Sequence, residues 1–70
     1  MDIRGRLGLN VQRLRLARGW SQEELAERAG LHRTYISGVE RGVRNPTITV
    51  LEKLAVAFEI EIGVVAGKRG

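Results

Sequence analysis

The stretch GLHRTYISGVERG, residues 30–42, carries six polar side chains of types that recognise nucleotides: His32, Arg33, Thr34, Tyr35, Ser37 and Arg41. Arg33, Thr34 and Ser37 stand at i, i+1 and i+4, so on a helix they share one side. The planar fork of Arg33 can chelate O6 and N7 of a guanine or grip a phosphate. Thr34 can bond a base edge or set its methyl against thymine, and Ser37 follows one turn on. Tyr35 suits a backbone phosphate through its hydroxyl. His32 is a further candidate contact, with a capping role at the helix start as the alternative. Behind this face only Ile36 and Val39 are apolar at the spacing of a buried stripe. Gly38 in the interior costs about 1 kcal/mol relative to alanine. A helix built for stability alone would not be composed this way.

The surrounding segments must position that face. Leu7, Val11, Leu14 and Arg18 follow the helical stripe and predict a first helix from about Ile3 to Arg18, closed by Gly19. Leu9 and Leu16 fall off the stripe, either packed under the chain termini or forming an exposed apolar patch. Ser21 and Glu24 make a capping box, with Trp20 and Leu25 as its hydrophobic staple, so a second helix runs from Gln22 to Ala29 and stops at Gly30. A third runs from about Arg33 to Arg41, with His32 at its N-cap and Gly42 as the stop. Pro46 keeps Asn45 out of the α region. Thr47 then caps a fourth helix, whose Ile48, Val50, Leu51, Leu54, Ala55 and Phe58 give a wide apolar face. In the tail, Phe58, Ile60, Ile62 and Val64 alternate as in a strand, yet Ile60, Val64 and Val65 also suit a short helix. The short helix is preferred, because a lone strand in a helical monomer has no sheet to join. Two tails pairing across a dimer would remove that objection.

Residues 22–41 then have the make-up of a helix-turn-helix. Leu25, Ala29, Leu31, Ile36 and Val39 are its inward positions, Ala26 is small enough for close approach, and Gly30 permits the tight turn. In such a motif the second helix enters the major groove, with its N-terminal residues facing base edges. Arg33, Thr34 and Ser37 are the candidate base readers. Arg41, Arg44 and Asn45, just beyond, are placed to meet phosphate on the flank. Arg4, Arg6, Arg13 and Arg18 are as well explained by a wet helix face.

WSQEELAERAG followed by LHRTYISGVERGVRNPTI resembles the lambda-repressor/Cro-type helix-turn-helix family of bacterial and phage regulators, and GLHRTYISGVERG is especially similar to the controller proteins of restriction–modification systems. The resemblance runs from about Leu7 to Val65 and is densest between Trp20 and Pro46. It implies an all-α, compact five-helix domain with a short last helix, dimeric binding to a palindromic operator, and no catalysis. It further implies that Gln22 bonds a phosphate while bracing the recognition helix. Similar proteins pair the glutamate at position 40 with an arginine of the first helix, here Arg15, which makes Arg15–Glu40 a partly buried structural ion pair. Other members carry a base-reading side chain where this chain has Gly38. Either the backbone approaches DNA closely there or the contact is missing, and the second reading is favoured.

Composition supports and limits this picture. Seventy residues make one small domain, 1–70, with a formal net charge of +4 supplied mostly by arginine, ten against two lysines. There is no cysteine and a single histidine, which leaves no thiolate or imidazole set for a metal and no cofactor to expect. No nucleophile–base pair, paired carboxylates or phosphate loop suggests an enzyme. No apolar run reaches the length of a membrane span and no signal peptide is evident, so a cytoplasmic protein is expected. The expected partners are double-stranded DNA and a second copy of the chain. Leu51, Phe58, Ile60, Ile62 and Val64 are the candidates for the dimer interface, Ile48 and Val65 adding to the same apolar surplus. The rival reading is an antitoxin or protein-interaction module, with a toxin or polymerase as partner and DNA binding secondary.

Overall fold

The computed structural model describes residues 3–65 and 67, with side chains from residue 5 onward; the side chain of Arg4 lies outside the described residues. Five helices follow one another: α1 (Ile3–Ala17), α2 (Gln22–Ala29), α3 (Arg33–Glu40), α4 (Ile48–Phe58) and α5 (Ile62–Val65). The first ends one residue short of Arg18. The third ends at Glu40, one residue short of Arg41, which is its C-cap and whose amide still bonds the Ser37 carbonyl at 3.1 Å.

Local chemistry sets the boundaries. Ser21 Oγ accepts the Glu24 amide at 3.0 Å. Thr47 Oγ1 accepts the Val50 amide at 3.3 Å. At the end of α2, Gly30 takes φ 68, and the Leu31 amide reaches back to the Ala26 carbonyl at 2.8 Å. That turn satisfies carbonyls the helix itself leaves open and swings the chain into α3. Glu59 ends α4 with φ 57, doing without glycine what Gly30 does with it. The Ile60 amide then bonds the Ala55 carbonyl at 3.0 Å, and the chain turns back into α5. The tail is therefore helical, and no strand occurs among the described residues. His32 occupies the N-cap of α3 but makes no side-chain cap bond; its carbonyl alone serves the start, accepting the Tyr35 and Ile36 amides.

All five helices contribute to one core: Leu7 and Val11, Leu25, Ala26 and Ala29, Ile36 and Val39, Leu54, Ala55 and Phe58, and Val65. Phe58 is fully enclosed, its ring stacked on Trp20 with centroids 5.7 Å apart. It is thereby removed from the interface candidates, as is the equally buried Val65. The apolar face of α4 is wide because its Phe58 end closes this domain's own core, not because all of it awaits a partner. Arg18 lies across both rings and donates to the Phe58 carbonyl, tying the end of α1 to the end of α4. Leu9 and Leu16 are exposed on the outer side of α1, the second of the two fates open to them.

Candidate nucleic-acid interface

The α3 helix is held on one side and open on the other. Ile36 and Val39 are sunk in the core. Arg33 and Thr34 are exposed and Ser37 is half-buried, and none of these side chains has a hydrogen-bond partner among the described residues. His32, Arg41, Arg44 and Asn45 are exposed, and Tyr35 is half-buried. Of the flanking cations, Arg44 lies against α3, over Gly38 and the Tyr35 ring.

Glu40 is the one acid in α3, and its surroundings explain how a basic face tolerates it. Arg15 Nε donates to Oε2 at 2.7 Å and Nη2 to Oε1 at 3.0 Å, a bidentate pair between side chains only 9% and 2% exposed. A third guanidinium bond reaches the Trp20 carbonyl at 2.8 Å. Gln22 Nε2 donates to the same Oε1 at 3.1 Å. The pair is more deeply buried than the sequence suggested, and Gln22 braces it from α2. One N–H of the Gln22 amide is thereby engaged, and the other remains available to an anion. The hydrogen bonds that Arg15 donates to Glu40 hold its guanidinium above its usual pKa, outweighing the opposite effect of burial, so Arg15 stays charged.

Gly38 has a neighbour that neither sequence reading named. A Cβ there would stand 2.4 Å from Cγ of Arg44, whose stem lies over the glycine. The Val43 and Arg44 amides both bond the Gly38 carbonyl, at 3.0 and 3.2 Å, folding the loop back against the helix. The Arg44 guanidinium then sits 5.8 Å from the centre of the Tyr35 ring. The bare position on α3 is covered by an arginine from the loop, which restores a cation to the face that Gly38 vacates.

Two residues of α1 matter here that sequence reasoning passed over. At Gly8 a Cβ would lie 2.3 Å from the Val39 carbonyl oxygen and 2.6 Å from that of Glu40, so α1 presses its backbone directly on the end of α3. Asn10, 7% exposed, donates to the carbonyls of Val64 and Val65. A signal for Asn10 existed: it interrupts the stripe Leu7, Val11, Leu14 with a polar side chain at an inward position. Nothing in the sequence marks Gly8 apart from other glycines.

Among the described residues no group of three or more potential metal-ligating side chains comes together, and no helix is long and apolar enough to cross a membrane. Of the interface candidates other than Phe58, Leu51, Ile60 and Ile62 are half-buried and Val64 is exposed.

Comparison with known proteins places this architecture. A family model described as "Helix-turn-helix" matches residues 11–65. A "hypothetical transcription factor" of Neisseria meningitidis is 46% identical over 59 residues, which are 84% of this chain and 56% of that longer protein. The crystal structure of the restriction–modification controller protein C.AhdI from Aeromonas hydrophila superposes with a TM-score of 0.86 at 44% identity, covering 89% of this chain and 94% of that one. The controller protein C.Esp1396I, solved as a tetramer in complex with its natural 35 base-pair operator, gives a TM-score of 0.81 at 38% identity, covering 87% of this chain and 80% of that one. With the family model spanning most of the chain, an open α3 beside a capped α2, and controller proteins as structural neighbours, this chain belongs to the helix-turn-helix family of DNA-binding transcription regulators.

Proposed function

We propose that this protein is a cytoplasmic, non-catalytic regulator that binds a two-fold symmetric operator as a homodimer, each protomer inserting α3 into the major groove. Residues 22–41 form the reading motif of a single domain. In this reading Arg33 and Thr34 contact base edges from the first turn of α3, and Ser37 contacts one from the next. Gln22, Tyr35, Arg41, Arg44 and Asn45 bond backbone phosphate, and His32 lies close enough to join them. The supporting observation is the division of α3: Ile36, Val39 and Glu40 are locked inside, while Arg33 and Thr34 project with no intramolecular partner among the described residues. A lone eight-residue recognition helix covers too few bases for a selective site, and two-fold pairing is the geometric remedy. The partly exposed Leu51, Ile60, Ile62 and Val64 supply its apolar material. A related protein has been solved as an assembly on operator DNA, which favours the same arrangement here.

Selection of bound duplexes from a random pool, by wild type and by Arg33→Ala, tests the reading. A palindromic consensus is expected, with preference relaxed in the variant at one symmetric pair of positions and a loss of about 1–3 kcal/mol per half-site. An unchanged consensus would remove Arg33 from base recognition. Sequence-indifferent binding beside tight capture of a protein partner would overturn the regulator reading as a whole.

A further inference from the structure

Helix α5 is too short to persist by its own hydrogen bonds. It has four residues, Ile62–Val65, and only Val65 is buried. Isolated helices several times longer are marginal in water. What holds its end is an amide from the far side of the molecule. Asn10 Nδ2 donates to the Val64 carbonyl at 2.6 Å and to the Val65 carbonyl at 2.7 Å, across 54 and 55 positions of sequence. These are carbonyls at the C-terminus of a helix, where the helix provides no donor; the Val64 carbonyl also accepts the Gly67 amide at 3.1 Å, and the Val65 carbonyl has the Asn10 amide. The other end of the amide is also held, because Arg13 Nη2 donates to Asn10 Oδ1. A polar side chain in the apolar stripe of α1 is tolerable only when its donors and acceptor are matched in this way.

Asn10 stands two residues beyond Gly8, where α1 touches the carbonyls ending α3. One stretch of α1 therefore contacts the recognition helix on one side and the last helix on another. From the region of that last helix Ile60, Ile62 and Val64 offer partly exposed apolar surface. Two recognition helices read a palindrome only when held one DNA turn apart, roughly 34 Å. In the proposed dimer, one path that sets this separation runs from α3 through α1 to α5.

We propose that Asn10 is a positioning residue for assembly: by fastening α5 to α1 it fixes the dimer surface relative to the recognition helix and so sets the half-site spacing the dimer accepts. This rests on the dimeric operator-binding reading, and a measurement without DNA separates the two. Sedimentation equilibrium of Asn10→Leu, with no DNA present, is expected to show a dimer weakened at least about tenfold, since Leu cuts the tie from α1 to α5, leaving the Val65 carbonyl without the Asn10 donor and the Val64 carbonyl with the Gly67 amide alone. On duplexes whose half-sites are moved by single base pairs from the wild-type optimum, the variant should discriminate spacing less sharply. Its binding to a single half-site should stay within about twofold of wild type, because α3 is untouched. Arg13→Ala, at an exposed position that only orients the amide, should shift dimerisation in the same direction by roughly two- to fivefold and keeps the test decisive if Asn10→Leu does not fold. A wild-type dimer constant and spacing preference in folded Asn10→Leu, or in Arg13→Ala when it alone folds, would overturn the proposal. So would an equal loss on single and paired half-sites. Failure of the wild type itself to prefer a palindrome would instead refute the operator reading and leave the sedimentation result to decide the role of Asn10.

Discussion

Replacing Glu40 by alanine should be among the most damaging single changes in this protein, although Glu40 is a charged residue on a helix assigned to DNA. Arg15 and Glu40 are 9% and 2% exposed at their side chains and joined by two hydrogen bonds. Glu40→Ala leaves the Arg15 guanidinium with the Trp20 carbonyl alone and frees the Gln22 amide from its partner. Removing one member of a buried pair costs about 3–5 kcal/mol, and the surviving Trp20 bond places this case near 3. A domain of this length has a total stability of roughly 3.5–10 kcal/mol, so about three-tenths of it or more goes. For small domains that corresponds to a fall in Tm of about 12–24 °C. Circular-dichroism melts and urea titrations measure both quantities. Arg15→Met combined with Glu40→Leu should recover more than half of the loss, because no charge is then stranded. Arginine titration offers a further check. Its folded-state pKa is raised, so its contribution is complete below the unfolded arginine value and disappears only as pH climbs through the folded one. Melts from about pH 6 to pH 9 should therefore show no step arising from Arg15. A cost for Glu40→Ala below about 1 kcal/mol, the range of surface pairs, would refute the reasoning. A double variant no more stable than the single one would refute it equally.

Two glycines in contrasting surroundings should respond unequally to alanine. Gly8→Ala drives a methyl into the backbone oxygens of Val39 and Glu40, which cannot swing aside, so a loss of about 1–3 kcal/mol should outweigh the gain of about 1 kcal/mol in helix propensity. Gly38→Ala meets Cγ of Arg44, a side-chain atom that can turn away about χ1, so thermal stability should stay within about 1 kcal/mol of wild type while DNA affinity falls as Arg44 leaves Tyr35. If Arg44 bonds one phosphate per protomer, Arg44→Ala should flatten the slope of log K against log salt by about 2 per dimer and leave sequence preference unchanged. A shifted consensus with an unaltered slope would make Arg44 a base reader instead.

The features legible in the sequence were those decided within a few residues. Ser21 and Glu24 announce the start of α2, and Gly30 its end, because a cap bond and a left-handed turn depend on little beyond themselves. The motif over 22–41 follows from two such signals and an apolar pattern. Phe58 was misassigned to an interface because its fate depends on Trp20, thirty-eight positions earlier, whose ring covers it. The role of Gly38 was missed because the space beside it belongs to Arg44, and no periodicity records what a loop lays across a helix. Arg15–Glu40 was reached through resemblance, since a contact over twenty-five positions leaves no local mark. Asn10 was visible as a polar intruder among apolar residues, but its acceptors, the carbonyls of α5, exist only after the tail has turned back.

The same distinction bears on how an eight-residue helix can present side chains accurately. Ile36 and Val39 are its large buried apolar residues, and each contributes about 1.5–3 kcal/mol of burial. Burial is non-directional, so two such pegs set the depth of α3 in the domain but resist rotation about its axis poorly. Neighbouring helical positions are separated by about 100° of rotation, so a modest roll would exchange which residues face the groove. Directional contacts must supply the missing constraint. The bidentate Arg15–Glu40 pair fixes one end of α3 in angle as well as position, and the backbone contact at Gly8 stops that end from rising off α1. A charged pair buried beneath a DNA-reading helix costs desolvation that apolar residues would avoid. Its advantage is orientation, and orientation is what the base contacts proposed for Arg33 and Thr34 require.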